Sequence, residues 1–523
     1  MQTRFALKRQ SYQDSLQLMS IAAKLKSIPG IIQTGAVMGT EANMTTLSHS
    51  GFTPDSSLVA GPDDIVIALR GESDEAIDRA LAAFHELLQP PQAQAGTPFT
   101  PSAPRSISAA LAQGGPANLA LISVPGVYAA REARKAIAAG LHVMIFSDNV
   151  SVDEEISLKK FAREKDLLVM GPDCGTAIIG GVPLCFANHV RRGSIGILGA
   201  SGTGIQQATV LIDRLGSGVS HAIGTGGRDL SDAVGGITML TAFDALEADP
   251  DTHLILLISK PPGYETAKAV AQRIMRCRKP VIVAFLDGDT SQIEAAGAIA
   301  ALNLEEAAAK AVALVNGKDP HSVTEAFSRA ELAFTVKTEV AKLKPEQVHV
   351  RGLFSGGTLA QEAVSILRSA VGRVRSNIAK DPADRLGDVS VSVGDCVLDL
   401  GDDDFTKGRP HPMIDPSYRA ERIISEHADP TVTVILCDVV LGVGSHGDPA
   451  GVLAAAVNVA RATTGRYITV IASVCGTESD PQRLTAQENI LRQAGVLVYP
   501  SNAFAAEAAG KLVQAARERG SRS

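Results

Sequence analysis

Short apolar runs, each stopped by Gly, Ser or Asp and followed by a stretch with hydrophobic positions three and four apart, dominate most of the chain. ANLALISVP, HVMIFSD and LLVMGPDCG fall within 107–190; SIGILGASG, HAIGTGGRD, HLILLISKPPG and PVIVAFLDG within 191–315. RGLFSGG, CVLDLGDDD, TVILCDVVLG, YITVIASVCGT and GVLVYPS follow within 349–523. Runs that are apolar on both faces and lead directly into amphipathic helices predict parallel strands covered by helices, so the fold class is α/β. The first 89 residues differ: strand, helix, strand, strand, helix (RFALKR to SDEAIDRALAAFHELL) is the order of a small ferredoxin-like α+β domain. The Pro-rich stretch 90–106 predicts a linker, and the charged stretch 316–348 a second, helical one.

Ligands of open parallel sheets sit beyond the carboxyl ends of the strands, which directs attention to the turns. Two of them look alike: GILGASGTGIQQA (196–208) and GLFSGGTLAQEA (352–363) each run from strand through a Ser-Gly turn into a helix. Unpaired amides and the helix dipole make each a seat for an anion. Ser201, Gly202, Thr203 and Gly204 with Ser355, Gly356, Gly357 and Thr358 are therefore candidate phosphate-binding residues, two helix N-termini facing one phosphate. GASGTG lacks the Lys-Ser/Thr of a Walker A loop, and Thr203 stands where a nucleophile elbow needs Gly.

Other polar clusters fall at strand ends. Arg228 and Asp229 (GTGGRDL) are candidate substrate contacts or a structural cap. In GDDDFTKGRPHPMIDP (401–416), Arg409 can grip a carboxylate with two parallel hydrogen bonds and His411 can act as acid or base. Asp403, between Asp402 and Asp404, is a candidate substrate contact in an acidic turn, to which no metal is assigned; His446 in GVGSHGDP is a weaker candidate of the same kind. Cys174 reads as a packed thiol. With six scattered Cys, a net charge of −7, 4% aromatic residues and no apolar run of membrane-spanning length, the chain reads as cytoplasmic, with no nucleic-acid or membrane partner.

The order of these pieces resembles the NDP-forming acyl-CoA synthetase superfamily, represented by succinyl-CoA synthetase. Segment 107–190 looks like part of its CoA-binding, Rossmann-type domain, and 191–315 and 349–523 like its two flavodoxin-like ligase domains, whose paired helices cradle a phosphohistidine. Over nearly its full length the chain is similar to the FdrA family, through FSDNVSVDEE, GPDCGTAI, GASGTG, GTGGRDLS, ISKPP, GGTL and GDDDFTKGRPHPMIDP. It departs from the ligases in three ways. Lys260 of ISKPPG stands where they carry a Glu, and VAFLDGDTSQIEAAGA has no His where theirs is phosphorylated. Neither an ATP-grasp domain nor the Gly-rich CoA loop is recognised. An ammonium pairs directly with phosphate, so Lys260 joins His411 and Arg409 as a catalytic candidate.

The resemblance then implies an enzyme, or a subunit of one, that transfers an activated carbonyl group from an acyl phosphate without phosphohistidine. The lead is carbamoyl phosphate to oxamate, in allantoin and purine-nitrogen breakdown. On this reading CoA and ATP are set aside as cofactors, and other subunits or copies of the chain are the expected partners. The alternatives are an ADP-forming acyl-CoA synthetase and a non-catalytic subunit that senses a phosphorylated metabolite.

Overall fold

The computed structural model of the chain describes residues 2–11, 13, 15–53, 58–88, 104–406 and 409–520. Most of the linker expected at 90–106 therefore lies outside the described residues.

The N-terminal unit is α+β, with a three-stranded antiparallel sheet in which Ile65–Gly71 is flanked by Gln2–Lys8 and Ile31–Met38. Its sequence reading missed one element: the helix Glu41–His49 separates the second strand from the third. The helix Asp74–Leu87 buries Ala76, Ile77, Ala80 and Phe84 against the sheet and is capped by Ser73, whose hydroxyl accepts from Ala76 N–H.

Three parallel strands, Leu119–Ile122, His142–Ile145 and Val169–Met170, form the sheet of the next unit. The following chain, expected to stay with that unit as far as 190, instead crosses over. The hairpin Thr176–Ile179/Val182–Cys185 extends the next sheet, pairing antiparallel with Val219–Gly224. That seven-stranded sheet runs in the order Ile299–Ala300, Val281–Phe285, Leu254–Ser259, Arg192–Gly199, Val219–Gly224, Thr176–Ile179, Val182–Cys185. The last unit is a six-stranded parallel sheet: Arg375–Ser376, Cys396–Asp399, His349–Phe354, Val432–Val440, Thr469–Cys475, Leu497–Tyr499. Val432–Val440 (VTVILCDVV) is buried at every position, as an interior parallel strand requires.

In both large sheets the first of the parallel strands, Arg192–Gly199 or His349–Phe354, is interior, and later parallel strands add on either side of it. Each is thus a topological switch point, where neighbouring connections diverge and leave a crevice. The helices that follow, Gly202–Arg214 and Gly357–Val371, pack into one shared core between the sheets. Ile205, Ala208 and Leu211 meet Leu359, Ala363 and Leu367 there, with Leu304, Phe504 and Leu512. Segment 316–348 is partly helical, as expected, but it is docked rather than free: Leu332, Val340 and Leu343 belong to the same core. Among the described residues no helix is long and apolar enough to cross a membrane.

Candidate functional site

The two Ser-Gly turns meet. Ser201, with φ −159°, caps its helix by accepting from Gly204 N–H at 3.0 Å, and its Oγ shares a 2.5 Å hydrogen bond with Thr358 Oγ1 of the other helix. A Cβ on Gly356 would lie 2.9 Å from Thr203 Cγ2, so glycine is what lets the turns approach this closely. All eight residues proposed from the repeated turn stand within this junction.

The second turn is not the empty cradle its sequence suggested. Asp438, on the strand Val432–Val440, accepts from Ser355 N–H (2.8 Å), Ser355 Oγ (2.9 Å) and Gly356 N–H (2.8 Å). Its charge is met by Arg419, whose Nη1 donates to Asp438 Oδ1 at 2.9 Å and to the Asp438 carbonyl at 2.7 Å. A built-in carboxylate thus holds the first two amides. Among the described residues, those of Gly202, Thr203, Gly357 and Thr358 have no hydrogen-bond partner.

Asp399 ends the strand Cys396–Asp399, beside Gly357: a Cβ on that glycine would collide with Asp399 Oδ2. Its backbone is pinned by Asn377, which donates to its carbonyl at 3.1 Å and accepts from its N–H at 3.0 Å. Oδ1 accepts from Gly401 N–H at 2.9 Å. Burial pushes the carboxyl up to about 7; Gly401 N–H opposes this, Asp402 and Asp438 add to it, and the charge of Lys260 pulls down.

His411 lies across Gly401 from Asp399. Positions 2.5 Å from His411 Nε2 and 3.2 Å from Asp399 Oδ1 coincide at the place a Gly401 Cβ would take. Its Nδ1 accepts from Met413 N–H at 3.2 Å, which puts the proton of the neutral ring on Nε2. Burial pushes this histidine down to about 4, and its ring lies 6.2 Å from that of Phe186. His446 reaches the same loop through its N–H, which donates to the Met413 carbonyl at 2.8 Å. Lys260 is exposed just after the strand Leu254–Ser259, and among the described residues it has no ion-pair partner.

Other expected contacts are already engaged. Asp229 is fully buried and accepts from Lys159 Nζ (2.7 Å), Thr238 N–H (3.1 Å) and Met239 N–H (2.9 Å). Arg228 donates to the Val150 carbonyl at 2.7 Å and pairs with Glu155 at 3.0 Å. The pair therefore joins the three-stranded unit to its neighbour; the substrate role gives way to the structural one, because the Asp229 carboxylate is fully occupied. Arg409 is exposed and stacks over Tyr418, 4.5 Å from the ring centre. Asp403 is exposed in a short turn of helix, and the preceding Asp402 accepts from Asp404 N–H. The Asp173 carboxyl is pushed up to about 6, chiefly by desolvation; Asp148 and Asp403 add to this and Arg228 opposes it, so the GPDCG and GDDDF turns face each other. Cys174 is pushed up to about 12 by burial, which leaves its thiol protonated. Beyond Val281–Phe285, where the resemblance places a phosphorylated His, Asp287 accepts from Gln361 Nε2 at 2.7 Å.

Asp399, Asp438 and Arg419 were missed in the sequence. The first two carried one weak signal, an acid at or near the end of an otherwise apolar strand; Arg419 carried none.

The fold of the two large sheets is succinyl-CoA ligase-like. The signature of the CoA-ligase family matches residues 353–512, that of the CoA binding domain 190–288, and that of the AllF heavy metal-associated domain 1–102. The chain is 44% identical to YahF of Escherichia coli (strain K12) over 505 residues, 96% of this chain and 97% of that one, and it belongs to the YahF family. It is also 29% identical to the ADP-forming sulfoacetate-CoA ligase subunit SauD of Bilophila wadsworthia and 30% identical to the succinate-CoA ligase [ADP-forming] subunit alpha of Aquifex aeolicus. Each of these matches covers 34% of this chain, and 61% and 58% of the respective subunits. The reading that set CoA and ATP aside is overturned by these matches. It rested on an unrecognised ATP-grasp domain and on a missing Gly-rich loop near the start of the 107–190 unit, whereas the CoA binding signature falls on 190–288.

Proposed function

We propose that this chain is an FdrA-type acyl-transfer enzyme of the CoA-ligase class, seating the phosphate of an acyl phosphate where the helices Gly202–Arg214 and Gly357–Val371 meet. One observation carries the reading: the Ser201–Thr358 contact at two switch points, with four unpartnered amides around it. These amides would hold the non-bridging phosphate oxygens, and Lys260 would neutralise the leaving phosphate. The acceptor attacks the carbonyl carbon; its new bond forms as the carbon–oxygen bond to phosphate breaks. No His stands in the segment 286–320 directly after Val281–Phe285, and His411 carries its proton on Nε2, so on this reading the phosphate travels on the acyl group rather than on a histidine of this chain.

The relatives named as ADP-forming CoA ligases bring CoA into the reading as an acceptor and ATP/ADP as source or sink of the phosphate. Two of those relatives are subunits, which favours partner chains completing the reaction. Carbamoyl phosphate is the lead donor, with oxamate the acceptor that the FdrA resemblance suggests. The test is acceptor-dependent phosphate release from carbamoyl or acetyl phosphate, with CoA or oxamate supplied, by the chain alone and with its partner subunits. Release that requires protein and acceptor together supports the assignment; none under any combination rejects it.

A further inference from the structure

Asp399 is 7% exposed, and its Oδ2 has no hydrogen-bond partner among the described residues, although it abuts Gly357, whose amide is also unpartnered. A carboxylate and an incoming phosphate cannot both carry full charge at such a place; one of them must hold a proton. The surrounding groups do not resolve the conflict by themselves. Asp438 is consumed by Arg419 and the Ser355 turn, Asp402 adds negative charge, His411 is neutral, and Lys260 acts only electrostatically.

We propose that Asp399 is the proton-carrying group of the phosphate seat, protonated when an oxyanion occupies the Gly357 and Thr358 amides. This rests on the acyl-phosphate reading above and adds to it the path of the proton. With substrate bound, protonated Asp399 donates to a phosphate oxygen. As the acceptor's S–H or N–H adds to the carbonyl and the carbon–oxygen bond breaks, the Asp399 proton passes to the departing phosphate. The acceptor's proton then restores the carboxyl, so acceptor-bound hydrogen ends on phosphate and Asp399 is unchanged over the cycle. His411 Nε2–H faces the same space beside Gly401 and, being neutral, takes no part in the proton's path, while Gly401 N–H holds Asp399 Oδ1.

Binding must then be linked to proton uptake. Sulfate keeps a constant charge through neutral pH, so its calorimetric titration into the full-length protein in buffers of different ionisation enthalpy counts protons taken up by the protein alone. At pH 8 the wild type should take up close to a full proton per sulfate, and affinity should fall about tenfold per pH unit above pH 7. Asp399→Asn should bind sulfate with no uptake and a flat pH profile. Sulfate binding by the wild type without uptake, or uptake that persists in Asp399→Asn, overturns the assignment. If neither sulfate nor inorganic phosphate binds the wild type at all, the phosphate seat itself is wrong.

Discussion

Asp399 and Lys260 are opposite cases of what a residue letter reveals. Lys260 drew attention through the resemblance, as an ammonium where the ligases carry a Glu, and in the fold it is exposed after an apolar strand. Asp399 reads in sequence as one more acid in an acidic turn; only folding shows that it is buried while Asp403 and Asp404 are exposed. Its chemistry is set by desolvation, which no local pattern encodes. If Lys260 neutralises leaving phosphate, Lys260→Ala should slow acyl transfer by about two to three decades, corresponding to roughly 2–4 kcal/mol, and Lys260→Arg by less. Unchanged turnover in the alanine variant would leave the side chain to solvent. Asp399 also makes a stability prediction that needs no substrate. Its carboxyl sits at about 7 in the fold against 3.8 for the free group, so the fold favours the protonated form. The stability it contributes is complete below pH 3.8 and is lost as pH rises through 7. Asp399→Asn, which cannot ionise, should therefore gain on the wild type between pH 4 and pH 8, by at most roughly 4 kcal/mol. Denaturant midpoints at the two pH values measure this, and parallel profiles would show that the carboxyl is solvated.

At the scale of elements, the repeated strand–turn–helix pattern was enough to find both helix N-termini. Their meeting was expected from the repeat, but the Asp438–Arg419 pair that fills half of one turn was not legible, because it brings together a strand and a helix remote in sequence from that turn. The crossing hairpin 176–185 was misassigned for the same reason: an apolar run does not say which sheet it joins. The glycines of the two turns are unequal. A Cβ at Gly357 runs into the Asp399 carboxyl, whereas one at Gly202 comes 3.2 Å from Thr176 Oγ1, a contact a small shift relieves. Gly357→Ala should abolish phosphate binding while Gly202→Ala weakens it several-fold, measured by calorimetry on the folded variants. Equal, small effects would mean that the amide of Gly357 is not part of the seat. Thr358→Val removes the bond between the helices and should cost about 1 kcal/mol of stability.

Across the whole molecule, the α/β order of the chain was readable from its alternating runs, but its division into cooperative bodies was not. The two large sheets share one core through the helices between them, and polar contacts clasp them at the site. Asp480 accepts from Asn188 Nδ2 and His189 N–H at 2.8 Å each, and Val443 N–H donates to the Ala187 carbonyl at 2.9 Å. The N-terminal unit has separate apolar clusters and reaches the last unit through the Lys26–Glu421 ion pair at 3.8 Å, a contact too exposed to couple unfolding strongly. Heating should therefore resolve a small transition for the N-terminal unit and a larger one for the joined sheets. The CoA binding signature covers 190–288, inside the joined body. A ligand stabilises only the unit whose native state it binds, by about 2.7 kcal/mol at a hundredfold excess over Kd. Saturating CoA should raise the larger transition by a few degrees and leave the smaller one in place, read by differential scanning calorimetry. A single transition would show that the N-terminal unit is an integral part of the fold, and a CoA shift confined to the smaller one would move the CoA site out of the ligase-like body.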